Sequence, residues 1–312
     1  MEVNEMEIHV WTWGTGAAFG RELGVPPSRT RRHQCSTSII GQEGADTKFH
    51  FLVDAGSPCV EGMVDREVAI PDVLFITHPH SDHCSDLDKL ANNRLRSLSF
   101  LQEPLAPLTV IGSQECLEHP EMGLKSKFDY LGAIVKWVPI RSYDVWYHIR
   151  KDDSFILPSR TLSDYTFVFP LAFKALPVYH AFAPGACLFI FTVWDQLKKI
   201  VISGDFESIE DSISENPDLK DADLYLIDSN TIKATGANHS NWMQNKYLIH
   251  RWITGQKKAR VLLHHIGGFE DYSHGYYDHL PNDEDWMDEI KTFDPPKGTN
   301  VELAQDNSCY EL

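Results

Sequence analysis

The sequence feature that most constrains the fold is a cluster of metal-ligand side chains directly after a short apolar segment. Residues 73–76 read as a strand, which runs into Thr77-His78-Pro79-His80-Ser81-Asp82-His83. Side chains two residues apart on extended backbone point the same way, so His78 and His80 can hold one metal ion. Asp82 and His83 lie beyond the bend and can reach a second ion. Surface loops are seldom so rich in one ligand type, so the pattern predicts a metal centre at a strand end.

This motif supplies too few ligands for two ions, so further ligands should come from other strand ends. Three ligand-type residues end apolar runs that read as strands: His180, Asp205 and His265. Each of them alone is more often a hydrogen-bonded structural residue, but three together are harder to dismiss. His264 directly precedes His265, and the sequence leaves open whether it also contributes.

Four motifs resemble the metallo-β-lactamase superfamily of dinuclear metallohydrolases. They are Trp13-Gly14-Thr15-Gly16, Asp54-Ala55-Gly56, the His-x-His-x-Asp-His run, and Leu263-His264-His265. The resemblance covers most of the chain. It implies an α/β fold, namely a four-layer αββα sandwich of two mixed β-sheets flanked by helices, in a single domain over residues 1–312.

The resemblance also implies how the ligands are shared. His78, His80 and His180 would hold one metal ion, Asp82, His83 and His265 would hold the other, and Asp205 would bridge the two. We expect two divalent ions at this site. Zinc is favoured, and manganese or iron would be accepted by the same imidazole and carboxylate ligands.

A finer resemblance is to the ribonuclease Z and cyclic-phosphate phosphodiesterase branch. It rests on Ala222-Asp223-Leu224, on Ile227-Asp228-Ser229-Asn230 in place of that branch's His-Glu-Ala-Thr, and on His239-Ser240-Asn241. The resemblance implies that Asp228 and His239, with Asp82, are catalytic residues, and that His239 protonates the leaving oxygen. The alternative is that Asp228 and His239 are only a cap and a strand-end polar group. The tRNA-gripping arm and the extra zinc-binding cysteines of some relatives are not recognisable.

The leading hypothesis for function is therefore a dinuclear metal-dependent hydrolase of a small or cyclic phosphodiester, in which a metal-bridging hydroxide attacks phosphorus. One alternative keeps the site and changes the substrate to a lactone, ester or thioester. Another is a non-catalytic binding protein on the same fold. A complete set of seven ligands argues against this last hypothesis, because an unused site has no reason to keep them.

Charge and composition limit which kinds of substrate and partner we expect. The net charge of -17 disfavours long nucleic acid, so we expect a small-molecule substrate. The one local basic cluster consists of Arg29, Arg31, Arg32 and His33. It could hold a substrate phosphate, or it could be a solvated loop. Six scattered cysteines without a Cys-x-x-Cys pair, and no basic apolar leader, predict a cytoplasmic protein. No membrane span is expected, and a homodimer is left open.

Along the chain, short apolar runs separated by glycine turns predict strands, with helices at about 85–96 and 238–254. Segment 113–165 is harder to interpret, because it mixes aromatic and charged residues without periodicity. It is interpreted as an insertion or lid on the single domain.

Overall fold

Two seven-stranded mixed β-sheets packed face to face form the centre of the protein. The structure is a computed structural model that describes residues 6–17, 32–100, 102, 106–149, 171–193, 198–235 and 238–312. The predicted four-layer sandwich is confirmed, because helices cover the outer face of each sheet.

The first sheet takes its strands from the first half of the chain and from the last residues. Its members are β1 (Glu7–Gly14), β2 (Ser36–Glu43), β3 (Asp46–Val53), β4 (Val73–Phe75), β5 (Leu108–Ser113), β6 (Val135–Ile140) and β14 (Ser308–Glu311). Their order is β14-β1-β2-β3-β4-β5-β6. Pairing is antiparallel from β14 to β3 and parallel from β3 to β6.

The second sheet repeats this plan with later strands. It contains β7 (Trp146–His148), β8 (Leu171–Pro177), β9 (Cys187–Val193), β10 (Lys198–Ile202), β11 (Leu224–Asp228), β12 (Ala259–His264) and β13 (Thr299–Leu303). Their order is β13-β12-β11-β10-β9-β8-β7. Strands β10 to β13 run parallel, so their carboxyl ends lie at one edge of the sheet.

The core between the sheets is a phenylalanine cluster. Phe75 of β4 meets three rings of the other sheet edge-on, with centroid distances of 4.9 Å to Phe173, 5.0 Å to Phe191 and 5.4 Å to Phe189. All four rings are buried, and each contributes roughly 1.5–3 kcal/mol through burial. This packing fixes the two sheets relative to each other and so fixes the strand ends that carry the site.

Helices cover the outer faces. Against the first sheet lie α1 (Cys59–Asp65), α2 (Leu87–Phe100), α3 (Gln114–Glu118) and α4 (Leu124–Lys127). Against the second sheet lie α5 (Asp211–Ser214), α6 (Trp242–Trp252) and α8 (Asp283–Lys291), while the short α7 (Phe269–Ser273) follows β12. Within the described ranges, every helix is too short or too polar to cross a membrane.

Helix α6 begins later than the sequence predicted. Its N-cap is Asn241, whose side chain accepts from the Gln244 backbone N–H, while the Gln244 side chain accepts from the Asn241 N–H. Asn238, where the predicted helix begins, instead has φ +61°, and N-cap residues lie in the extended region. The residues between Asn238 and the helix, including His239, are therefore free to belong to the site.

The described part of segment 113–165 contributes a strand to each sheet. Strand β6 pairs with β5 at the edge of the first sheet, and β7 pairs with β8 at the edge of the second. Residues 114–149 thus carry the chain from one sheet to the other rather than standing apart from them. The remainder of the segment lies outside the described residues.

A buried histidine in β3 makes the stability of this fold depend on pH. The Nδ1–H of His50 donates to the Ala69 carbonyl (2.6 Å), and its Nε2 accepts from the Ser38 hydroxyl (2.7 Å). Trp13 in turn donates to Ser38 (2.8 Å). Burial lowers the pKa of His50 to about 4, although the Ala69 bond opposes this. The ring is therefore neutral in the folded protein.

The first prediction follows from this pKa. Below pH 6.5 the unfolded chain protonates His50 while the folded protein does not, so stability falls as the pH drops toward 4. The free energy of unfolding of the natural protein, minus that of His50→Gln, should fall by up to about 3 kcal/mol between pH 7 and pH 4. Urea titrations of both proteins measure this difference, and titrations elsewhere cancel. A difference that stays constant with pH would contradict the prediction.

Candidate metal centre

All seven predicted ligand side chains meet at the edge of the sandwich where strands of both sheets end. Residues 78–83 follow β4 of the first sheet and include the 3-10 turn Ser81–His83. His180, Asp205 and His265 follow β8, β10 and β12 of the second sheet. The structure thus brings together residues up to 187 positions apart in sequence, as the numbers 78 and 265 show.

The first ligand group consists of three histidines. His78, His80 and His180 each offer a ring nitrogen, and these atoms lie within 4.8 Å of one another. The Nδ1–H of His180 donates to the Asn238 carbonyl (2.7 Å), which leaves its Nε2 lone pair facing His80 Nδ1 at 3.1 Å. Burial lowers the pKa of His180 to about 4 and that of His78 well below its usual value. These rings are therefore neutral near pH 7, as a metal ligand must be.

The second group is centred on a buried carboxylate. Asp205 Oδ2 lies 3.1 Å from His83 Nε2 and 3.1 Å from His265 Nε2, and Asp82 completes the group. The same oxygen is 3.7 Å from His78 Nε2 of the first group. Asp205 therefore occupies the position between the two groups that a bridging ligand requires.

Two buried polar atoms test whether metal ions fit here. Within the part of the chain that the structure describes, Asp205 Oδ1 and His78 Nε2 are buried and make no hydrogen bond. Leaving such atoms unpaired costs about 1–3 kcal/mol each, or more for a charged group. Both are good ligand atoms for a divalent cation, and they belong to adjoining groups. The donor set therefore fits the predicted metal ions.

A carboxylate that the sequence analysis did not assign to the site orients His83. Asp54 Oδ2 accepts from His83 Nδ1 at 2.7 Å, and Thr77 donates to Asp54 from its backbone N–H and its hydroxyl, both at 2.8 Å. This bond fixes the ring so that Nε2 faces Asp205, the usual arrangement behind a histidine ligand. The sequence signal for this carboxylate is the strand-end motif Asp54-Ala55-Gly56, which by itself indicated only the fold.

The electrostatics of the second group favour a cation. Burial would raise the pKa of Asp205, but His265, His83 and His239 hold it well below its usual value. Burial also opposes ionisation of Asp82, yet His83 and His265 lower its pKa to about 2. Both carboxylates are therefore ionised at neutral pH, inside a site that is closed to bulk water on most sides.

Asp228 and His239 adjoin this centre. His239 Nδ1 lies 3.4 Å from Asp228 Oδ2, and that oxygen also accepts from the backbone N–H groups of Phe206 and Ser240. The His239 ring is 4.8 Å from His180 and 4.6 Å from His265, centroid to centroid. Burial opposes its protonation, but Asp228 and Asp205 raise the pKa of His239 to about 9.

The N-cap of α6 is Asn241, so neither Asp228 nor His239 is that cap, and Asp228 contacts His239 directly. One ligand-type atom from each of Asp205, Asp228, His239 and His265 lies within 4.8 Å of the others, so the pair adjoins two of the predicted ligands.

His264 lies outside these ligand groups. It is buried next to His265, and its Nδ1 lies 3.6 Å from the Cys35 thiol. Burial lowers its pKa to about 4, so it is a neutral neighbour of the centre.

The predicted basic cluster does not present a free cation in its described part. Arg32 is buried, and its guanidinium donates to the Thr15 hydroxyl, the Ala304 carbonyl and the Asp283 carboxylate. His33 is paired with Asp306 and the Trp13 carbonyl. The predicted role of Arg32 and His33 in holding phosphate is therefore replaced by a structural one, tying this loop to the C-terminal region. Arg29 and Arg31 lie outside the described residues.

Comparison with known proteins agrees with this fold and site. A family model described as a β-lactamase superfamily domain matches residues 50–266. The chain belongs to this superfamily, and its architecture is the metallo-β-lactamase fold. No curated protein sequence matches the chain.

Three solved structures illustrate the similarity in fold. The metallo-β-lactamase fold protein YhfI from Bacillus subtilis is 17% identical, covers 98% of this chain and 100% of its own, and has a TM-score of 0.63. A diphosphatase of the PhnP family is 17% identical, covers 98% of both chains, and has a TM-score of 0.66. The short form of human tRNase Z is 17% identical, covers 97% and 98%, and has a TM-score of 0.57.

The second prediction concerns metal content. Asp205→Asn keeps the shape of the side chain but removes the charge that faces both ligand groups. The natural protein should carry close to two metal ions per chain, and Asp205→Asn should carry one or fewer. Elemental mass spectrometry after gel filtration measures the ratio. Asp278→Asn, which changes an exposed carboxylate, is the matched control and should keep two. Equal metal content in all three proteins would show that Asp205 holds no metal.

Proposed function

We propose that this protein is a dinuclear metal-dependent phosphodiesterase that hydrolyses a small phosphodiester. The observation that carries the proposal is the Asp228–His239 hydrogen bond placed directly against Asp205 and His265. A metal centre alone serves many hydrolyses. A proton donor held beside it serves those in which a poor leaving oxygen must be protonated.

The metal ions would be held by the seven ligands already described, with Asp205 between them. When bound, two divalent cations lower the pKa of water and stabilise negative charge on phosphoryl oxygens. The remaining chemistry belongs to the chain. Asp54 and Asn238 turn the inward nitrogens of His83 and His180 toward the centre, and burial keeps competing water out.

His239 would supply the proton to the leaving oxygen. Its Nδ1–H donates to Asp228, so the proton available for transfer is the one on Nε2. Asp228 is itself held by the Phe206 and Ser240 backbone N–H groups, so the ring it holds has a fixed orientation. The His239 side chain is 18% exposed, in contrast to the almost fully buried His83 and His265. A substrate can therefore reach this ring from solvent.

The strongly negative chain supports a small substrate over a long polyanion. Two solved structures with the same fold are of a diphosphatase and a tRNase Z, which supports phosphorus–oxygen chemistry at such a site. We propose a cyclic or otherwise compact phosphodiester as the substrate and zinc as the resident metal.

The third prediction tests the proton donor. His239→Gln should slow hydrolysis of a diester with a poor alkoxide leaving group by about 10²–10⁴-fold. Hydrolysis of bis(p-nitrophenyl) phosphate should change by less than about tenfold, because p-nitrophenolate leaves without a proton. Steady-state kinetics of both substrates give the two ratios. His250→Gln, an exposed histidine in the last turn of α6, is the matched control and should affect neither.

Two outcomes would contradict the proposal. If His239→Gln slows both diesters equally, His239 does not act as the acid. If the natural protein hydrolyses lactones or thioesters far faster than any phosphodiester, the substrate class is wrong and the alternative hydrolase function is favoured.

A further inference from the structure

Phe182 combines two unfavourable features in one residue beside the metal centre. Its side chain is 82% exposed, although it lies only two residues after the ligand His180. Its φ is +62°, in the left-handed region that glycine adopts freely and aromatic residues rarely adopt. Packing of the ring offsets neither the exposure of its apolar surface nor the unfavourable backbone conformation. Unfavourable backbone of this kind clusters at functional sites, where it serves to position a group.

The loop that carries Phe182 is fixed to the centre at both ends. At its start, the Ala183 N–H donates to the His180 carbonyl (3.2 Å), which closes a turn with Phe182 at its third position. At its end, the Ser113 hydroxyl donates to the Gly185 carbonyl (2.7 Å), and the Cys187 N–H donates to the Thr77 carbonyl (3.1 Å). Thr77 directly precedes the ligand His78. The exposed ring therefore stands on a short, anchored loop between two ligand-bearing segments.

The neighbouring aromatic residue provides a contrast. Tyr179 is 58% exposed, but its backbone is extended and paired with Ser208. Since successive side chains on extended backbone point in opposite directions, Tyr179 faces away from the centre toward which His180 points. An exposed aromatic residue of this segment that does not face the site is thus available for comparison.

We propose that Phe182 is a specificity-determining residue that stacks on an aromatic substituent of the substrate. The inference rests on the proposed function, since the substrate is taken to be a phosphoryl compound bound at the metal centre. A flat ring that is 82% exposed offers little to a flexible aliphatic chain. It offers a complete face to another flat ring, which stacking covers from water. The substrate class is therefore a phosphodiester whose retained alcohol, not its leaving group, carries an aryl or heteroaryl ring.

The experiment compares two synthetic diesters with the same leaving group. Benzyl p-nitrophenyl phosphate and cyclohexylmethyl p-nitrophenyl phosphate both release p-nitrophenolate and differ only in whether the retained six-membered ring is flat. The measured quantity is the ratio of their kcat/KM values with the metal-loaded full chain. The natural protein should favour the benzyl ester by about five- to tenfold, the range expected for one aromatic stack.

Three variants distinguish a loss of ring stacking from a general structural effect of the substitution. Phe182→Leu keeps an apolar side chain but loses the flat face, and Phe182→Gly removes the ring while relieving the backbone at φ +62°. Both should bring the ratio close to one, and Phe182→Gly should not lower the melting temperature. Tyr179→Leu is the matched control and should keep the ratio of the natural protein.

The other outcomes distinguish an error in the role of Phe182 from an error in the proposed function. If both esters are hydrolysed but the ratio is the same in all proteins, Phe182 does not determine specificity, while the proposed function stands. If Phe182→Gly halves the mass measured by light scattering and leaves the ratio unchanged, the ring is a contact between two copies of the chain. If neither ester is hydrolysed, the proposed function fails, and calorimetry of benzylphosphonate against cyclohexylmethylphosphonate decides on Phe182 alone. If the natural protein binds benzylphosphonate more tightly and Phe182→Leu binds both phosphonates equally, the inference is supported. If Phe182→Leu keeps the difference in affinity, or the natural protein shows none, the inference is overturned.

Discussion

The buried negative charge of Asp205 requires positive charge and hydrogen bonds around it. Asp205 is almost completely buried, and one of its oxygens lies within 3.7 Å of ring nitrogens on His78, His83 and His265. An ionised carboxylate out of water costs several kcal/mol unless positive charge and hydrogen bonds surround it. The imidazoles lie where they could share cations with it, and its other oxygen is buried without a hydrogen bond among the described residues. Metal ions at this centre would supply the positive charge that the buried carboxylate requires.

The sandwich surrounds Asp205 with histidines by bringing strand ends of both sheets to one edge. Strands β10, β11 and β12 are parallel neighbours, so Asp205, Asp228 and His265 emerge side by side. The opposite sheet contributes the residues after β4, and the phenylalanine cluster around Phe75 fixes the distance between the sheets. Asp54, at the end of β3, then orients His83. A rigid core thus positions ligands more accurately than flexible loops would.

The sequence predicted the parts of this account that depend on residue type and local order. The ligands could be found because histidine and aspartate are conspicuous at the ends of apolar strands. The role of Arg32 could not be predicted, because the sequence does not show whether a basic residue binds a phosphate or an acidic side chain distant in the chain. Its partner Asp283 is 251 positions away. Strands β6 and β7 were missed because β6 contains Lys136 and Pro139 and β7 has only three residues. The turn before α6 contains a left-handed Asn238, and the sequence did not distinguish this conformation from an N-cap because asparagine favours both.

The most direct measurement of the central claim is an anomalous difference map from crystals of the protein, recorded at the absorption edge of the metal found in solution. Two peaks about 3.5–4 Å apart are expected, one beside the three-histidine group and one beside Asp82, His83 and His265, with Asp205 between them. A map without peaks at these ligands, or with metal only elsewhere on the surface, would contradict the central claim.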